Sequence, residues 1–241
     1  MPRFYCPISL SPGAVVALPP EVAHHIHVLR LGPEDPLTLF NGEGGEFQAR
    51  LAGIGKKSAD AEILSFLPRE AELPYAVTIA QALPESSKMD WIVEKAIELG
   101  VSAIQPLHAH RCVVRLSGDR AEKRLAHWQK IVVSASEQCG RNRLTLVHDI
   151  ADFRKFTIDH DGGTRLLLSP RSTVPLAAWA QDHSPQPLTL MIGPEGGFTE
   201  AEEDLAITQG AQPISMGSRI LRTETAGMAA LAMLQGIWDR Q

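Results

Sequence analysis

"MIGPEGGFTEAEEDL", residues 191–205, runs from a short apolar stretch through a turn with three glycines and a proline into four acids. A buried strand, a tight turn and a helix in that order mark an α/β unit. The first N–H groups of a helix lack partners within it and lie at the positive end of its dipole, so such a turn often cradles phosphate. Here Thr199, with Glu202 three residues on, reads as a capping box, and Glu200, Glu203 and Asp204 add negative charge to the same turn. Those acids already use the dipole and would repel a polyphosphate. The stretch therefore predicts a glycine loop for a ligand held close to backbone and carrying no phosphate.

Around this stretch, from Tyr75 onward, strands and helices alternate. Apolar runs at 75–83, 101–107, 144–147, 164–169, 188–192 and 213–216 read as six buried strands. Met89, Ile92, Val93, Ala96 and Ile97 share one helix face, with Gly100 placed to end it. Leu125, Trp128, Val132, Ala135 and Cys139 mark a longer helix, with Asp119 and Glu122 as its expected cap and Gly140 as its end. Further helices are expected over 175–181, 200–207 and 224–238. This alternation predicts a mainly parallel α/β sheet covered on both faces. In such sheets ligands sit beyond the carboxyl ends of the strands. Three turns there stand out: "LLLSPRS" (166–172), "MIGPEGG" (191–197) and "ISMGSRILRTETA" (214–226).

Residues before about 67 differ. Short β-like runs at 4–6, 14–17, 37–40, 46–54 and 59–67 are broken by Gly, Pro and Asn, and "NGEGGE" at 41–46 reads as a hairpin turn. One helical piece, "PEVAHHIHVLR", interrupts them. The pattern predicts a small β-barrel-like domain, and "PREAELP" (68–74) a linker after it.

The chain of 241 residues carries a net charge of −5, yet residues 108–143 hold eight Arg or Lys against three acids. Such a stripe can face a phosphate backbone, and a solvated helix face with i,i+4 pairs reads the same way. Three cysteines, Cys6, Cys112 and Cys139, have no C-x-x-C spacing, and no apolar run is long enough to span a bilayer. A reducing, cytoplasmic setting is expected. The histidines at 24, 25, 27, 108 and 110 lack metal-site spacing, so no metal is expected. "GIGKKS" (53–58) fails as a Walker loop, with Arg50 and Lys57 at required Gly and Ser/Thr positions, and "GEGGEF" (42–47) has Phe47 where a dinucleotide fingerprint needs its third glycine. The last helix, with Ala226, Ala229, Ala230, Met233, Leu234 and Ile237 at helical spacing, suits either a core face or a subunit interface.

Five stretches, "HHIHVLR", "KMDWIVEKAIELGVSAIQPL", "WQKIVVSASEQCGRNR", "MIGPEGGFTEAEEDL" and "MGSRILRTETA", together resemble the bacterial 16S ribosomal RNA uridine N3-methyltransferases, the RsmE family of the SPOUT class. The resemblance covers nearly the whole chain. It departs at "ESSK" before "MDW", where members often carry Gly and more basic residues, and this bears on RNA contact at Lys88. It implies an N-terminal PUA-like β-barrel for RNA (1–70) and a SPOUT α/β domain (71–241) whose C-terminal part forms a trefoil knot. It also implies a homodimer acting on the small ribosomal subunit, with S-adenosylmethionine bound between the knot loops. The implied cofactor residues are Leu168 and Ser169 in the first loop and Gly193, Pro194, Gly196 and Gly197 in the second. In the third they are Met216, Gly217, Ile220, Leu221, Thr223 and Thr225.

Methylation at N3 of uracil requires loss of its proton, hence a base or donors that stabilise negative charge on O2 and O4. Arg222 is the expected donor, with pairing to Glu224 or a carbonyl as its alternative reading. Glu195 is a candidate base that could equally brace the loop. Arg3, Arg30, Lys88, Arg111, Arg141 and Arg143 are the expected RNA contacts.

Overall fold

The computed structural model describes residues 1–159 and 162–239. Two compact units divide the chain: Met1–Glu72 with Val133–Leu144, and Leu73–Val132 with Thr145–Gln241.

In the first unit, strands β1 (Arg3–Tyr5), β2 (Val15–Ala17), β3 (Pro36–Phe40), β4 (Glu46–Ile54) and β5 (Ala59–Leu67) form one sheet in the order β1-β3-β4-β5-β2, with α1 (Pro20–Val28) inserted after β2. Phe47, Ala49 and Leu51 alternate along β4 and are buried, the period of two expected of a strand with one face on a core. They pack with Leu37, Leu39, Ile63, Val22 and Ile26. β3 and β4 pair antiparallel across the expected hairpin turn.

Buried charge pins the returning segment. Arg141, 3% exposed, is ion-paired with Glu72, and Asn142 bonds the carbonyl of Arg69. Glu46 accepts from both Arg3 (2.6 Å) and Arg69 (2.7 Å). Hydrogen bonds from Arg69 and then Arg3 outweigh the effect of burial and hold the Glu46 carboxyl below its usual range.

The second unit contains a seven-stranded, all-parallel sheet. Its strands are β6 (Val77–Ala82), β7 (Ala103–His108), β8 (Leu146–Val147), β9 (Ala151–Asp152), β10 (Thr164–Leu168), β11 (Leu188–Ile192) and β12 (Gln212–Ile214). The order is β12-β10-β11-β6-β7-β8, with β9 also paired to β7. Helices α2 (Ser86–Glu98), α3 (Asp119–Cys139), α4 (Phe153–Ile158), α5 (Leu176–Gln181), α6 (Glu200–Thr208) and α7 (Thr223–Trp238) connect or follow these strands. Every residue expected on the apolar face of α2 is buried.

Three details differ from expectation. The strand expected over 144–147 shortens to Leu146–Val147. Asp119 lies inside α3, so it contributes charge to the first turn and is not the capping residue before it. β9 and α4 were not anticipated, because a two-residue strand and a six-residue helix show no measurable periodicity. α4 is instead held by its cap, Asp152 accepting from the Lys155 N–H at 3.0 Å.

Candidate active site

β6 lies between β7 and β11, so the connections leaving the sheet diverge there, and the turns after β6, β10, β11 and β12 gather at one edge. The glycine loop after β11 is fastened to its neighbours by buried polar groups. Thr223, opening α7, donates its hydroxyl to the Gly193 carbonyl at 2.6 Å. Gln81, fully buried on β6, donates to the Thr223 hydroxyl at 2.9 Å and to the Ala82 carbonyl at 2.9 Å. The Gly197 N–H closes the turn on the Pro194 carbonyl at 2.8 Å, with Gly197 at φ 67°. A Cβ on Gly193 would lie 2.8 Å from the Phe198 nitrogen, so this position admits only glycine without a shift of backbone.

The capping box opening α6 is present. The Glu202 N–H donates to Thr199 Oγ1 at 3.2 Å, and the Thr199 N–H donates to Glu202 Oε2 at 2.8 Å. Glu202 Oε1 also accepts the His110 N–H at 2.7 Å. Glu203, expected as one more charge on the helix tip, is instead 6% exposed. Its Oε2 accepts from the Ser169 hydroxyl at 2.9 Å and lies 3.3 Å from Arg171. This buried carboxylate ties the turn after β10 to α6. Its place on the same helix face as Ala206 was the available signal.

Leu168, Ser169, Met216, Gly217, Ile220 and Leu221 line one narrow cleft of about 80 Å³. Pro170, Arg219 and Ala226, not expected from sequence, complete it. Gly193, Pro194, Gly196 and Gly197 do not line this cleft; they lie in the loop that Thr223, three residues before Ala226, fastens. Thr223 is 6% exposed and acts as its fastening, while Thr225 is exposed on the first turn of α7.

The two catalytic candidates differ in kind. Glu195 Oε1 is bound by Lys88 Nζ at 2.8 Å and by the Glu85 N–H at 3.0 Å. Burial pushes its carboxyl upward, but these donors outweigh it and leave the pKa below the usual range. A carboxylate stabilised in its ionised form is a weak base, which favours the bracing role. Arg222 is exposed at the N-cap of α7, and its guanidinium has no hydrogen-bond or ion-pair partner among the described residues. Pairing with Glu224 or a carbonyl, the alternative reading of Arg222, is absent among the described residues.

Few of the basic residues expected at RNA are presented to solvent unpaired. Arg3 lies over the Phe40 ring at 4.4 Å and bonds Glu46 and the Arg141 carbonyl, so burial makes it structural. Arg141 is structural for the same reason, through Glu72. Arg111 donates to the carbonyls of Gly196 (2.7 Å) and Phe198 (3.2 Å), and Lys88 is engaged with Glu195, so both support the glycine loop. Arg30 is exposed and unpaired among the described residues, and Arg143 is exposed with Glu70 at 3.7 Å.

Among the described residues, no group of three His, Cys, Asp or Glu could hold a metal ion, and no helix is long and apolar enough to cross a membrane. Cys6 is buried, which pushes its thiol up to about 12.

Residues 71–235 match the RNA methyltransferase domain family, and residues 18–64 match the RNA methyltransferase PUA domain family. The chain is 33% identical over 221 residues to the ribosomal RNA small subunit methyltransferase E of Bacillus subtilis, covering 89% of this chain and 86% of that one. To the protein of the same name from Synechocystis it is 36% identical over 231 residues, 94% of this chain and 74% of the other. Among solved structures it is similar to the Neisseria gonorrhoeae ribosomal RNA small subunit methyltransferase E bound to S-adenosyl methionine. That pair is 42% identical with a TM-score of 0.92, covering 99% of this chain and 98% of the other.

Proposed function

The chain belongs to the ribosomal RNA small subunit methyltransferase E family, and from that premise we propose that it methylates N3 of one uridine in 16S ribosomal RNA with S-adenosylmethionine as donor. The observation that carries this reading is the fastening of the glycine loop by Thr223 and Gln81 beside the cleft lined by Leu168, Met216 and Leu221. The residues fit the cofactor. The capping box already engages the Thr199 and Glu202 N–H groups, and Glu200 and Glu202 add negative charge to the first turn of α6, which disfavours phosphate; S-adenosylmethionine has none.

When bound, the sulfonium supplies an electrophilic methyl group. The protein's part is to hold the target nitrogen in line with it and to stabilise the uracil anion left as the N3 proton passes to solvent water; the thioether S-adenosylhomocysteine is the leaving group. Arg222 does the stabilising, because a guanidinium stays protonated and presents paired donors to O2 or O4. Glu195 with Lys88 and Arg111 keep the loop in shape. Because N3 lies on the pairing edge, the target base must be unpaired when it reacts.

The remaining assignments extend the same reading. Residues 1–70 act as the RNA-binding PUA-like domain, 71–241 as the methyltransferase domain, and the turns after β10, β11 and β12 belong to a trefoil knot. The enzyme works in the cytoplasm as a homodimer. Support for the dimer comes from α7, where Ala229, Ala232, Met233 and Gly236 leave a stripe of small and apolar residues partly or fully exposed.

Two measurements test the proposal. Calorimetry with the purified protein is expected to detect S-adenosylmethionine binding. Reverse transcription on 16S RNA is expected to stop at one uridine only in cells that contain the protein; a stop that persists without it refutes the assignment.

A further inference from the structure

A second pocket, of about 390 Å³, opens between the end of β7, the start of α4 and the start of α6; Thr199, where the glycine loop meets α6, borders it, and Arg222 does not. Its charged and imidazole lining comprises His108, His110, Arg115, Arg154, Asp152 and Glu202, with the Thr199 hydroxyl beside them held by Glu202. Both Glu202 oxygens are already committed, Oε1 to the His110 N–H and Oε2 to the Thr199 N–H. Asp152 uses Oδ1 to cap α4, and its other oxygen has no partner among the described residues. Arg115 bonds only the His110 carbonyl, at 3.3 Å, and Arg154 is exposed; neither is paired with a carboxylate among the described residues. The pocket therefore offers two guanidinium groups and one carboxylate oxygen with an open lone pair.

That combination is wrong for a bare anion, which Asp152 would repel. It suits a ligand that carries both a negative group and an N–H donor edge. A nucleotide is such a ligand, with its phosphate and its amino-bearing base. His108 supplies a flat wall: burial, and next the Arg115 charge, lower its pKa and favour the neutral ring. Neutral rings and guanidinium planes are the surfaces on which unpaired RNA bases stack. The pocket is also coupled to the glycine loop, since Glu202 spans His110 and Thr199 while Arg111, next in the chain, holds Gly196 and Phe198.

We propose that this pocket receives one unpaired nucleotide flanking the target uridine, with its phosphate on Arg115 and Arg154 and the amino edge of its base on Asp152. The inference rests on the methyltransferase reading and adds to it a means of choosing the site.

Unmethylated small ribosomal subunits, and RNA fragments of them with single flanking nucleotides replaced, are the probes. Arg154→Ala is expected to weaken RNA binding several-fold and to reduce the slope of log affinity against log salt by about one phosphate contact. Calorimetric affinity for S-adenosylmethionine should not move. Asp152→Asn retains a residue that caps helices and exchanges the pocket's carboxylate acceptor for a neutral amide, so it is expected to alter the ranking of the substituted RNAs. Wild-type affinity and salt slope in Arg154→Ala, or a wild-type ranking in Asp152→Asn, overturns the proposal. If the unmodified protein methylates none of these RNAs, the enzyme reading itself fails, and the two failures are distinct.

Discussion

The loop at 193–199 and the segment at 216–222, both proposed above to hold the cofactor, are built in opposite ways. In the first, Gly193, Gly196, Gly197, Phe198 and Thr199 all have backbone groups bonded to partners such as Thr223, Arg111 and Glu202. In the second, Gly217 bonds the neighbouring Ser215 hydroxyl, Ile220 is 87% exposed, and Arg222 has no side-chain partner among the described residues. A site that must both hold a cofactor and meet a large RNA needs each kind of segment. Preorganised backbone lowers the ordering cost of binding, while unpaired side chains remain available to the substrate.

The contrast fails most visibly at Arg222. If the open segment carries the chemistry, Arg222→Ala should lower kcat by about 10²–10³-fold, the size of effect seen when one donor to a developing anion is removed. Affinity for S-adenosylmethionine should stay near that of the unmodified protein, which calorimetry checks; a parallel loss of both would move Arg222 into the cofactor site. Gly193→Ala attacks the braced side. Its new Cβ would meet backbone at 2.8–2.9 Å, so the loop must shift, at a cost approaching ~3 kcal/mol. Cofactor affinity should fall accordingly, and titration calorimetry reads it directly.

What could be read from sequence divides along this same line. The Thr199 and Glu202 box, the glycine turn and the face of α2 are local patterns, set within a few residues of chain, and the structure contains each of them. Gln81 was invisible as a site residue because its partner Thr223 lies 142 positions away. The parallel pairing of β6 with β11 sets Gln81 opposite Ile192, and α7 brings Thr223 to the next residue, Gly193. The arginines show the same limit from the other side. Charge counting treats Arg3 and Arg30 alike. Arg3, however, pairs in register with Thr38 on a strand whose neighbours include Glu46, whereas Arg30 lies in solvent in the turn after the C-cap of α1. Exposure is a tertiary property, so a basic stripe in sequence names candidates without ranking them.

Thr223→Val sharpens the comparison by removing one fastening at nearly constant volume. The change leaves the part-buried Gly193 carbonyl without its hydroxyl donor and takes an acceptor from the buried Gln81 amide. Leaving buried polar groups unmatched costs about 1–2 kcal/mol. Chemical denaturation should show that loss in the midpoint with an unchanged m-value, and cofactor affinity should weaken less than in Gly193→Ala.

The smallest effect belongs to Lys88→Ala, which removes an exposed brace from Glu195. Glu195 has a folded-state pKa below its usual 4.5, so its contribution to stability is present above that value and fades as pH falls through the lower folded one. Lys88 is the mirror case: the hydrogen bond to Glu195 raises its pKa above 10.5, and its contribution is present below 10.5 and fades as pH rises through the folded value. The difference in melting temperature between the unmodified protein and Lys88→Ala should therefore be a small plateau between these limits, narrowing at both ends. Removing Lys88 also removes the main counterweight to burial at Glu195, whose pKa should rise. If Glu195 only braces the loop, that rise leaves the pH dependence of kcat unchanged. A new limb in the kcat profile that follows the Glu195 titration would make it the base and place part of the chemistry on the braced side of the site.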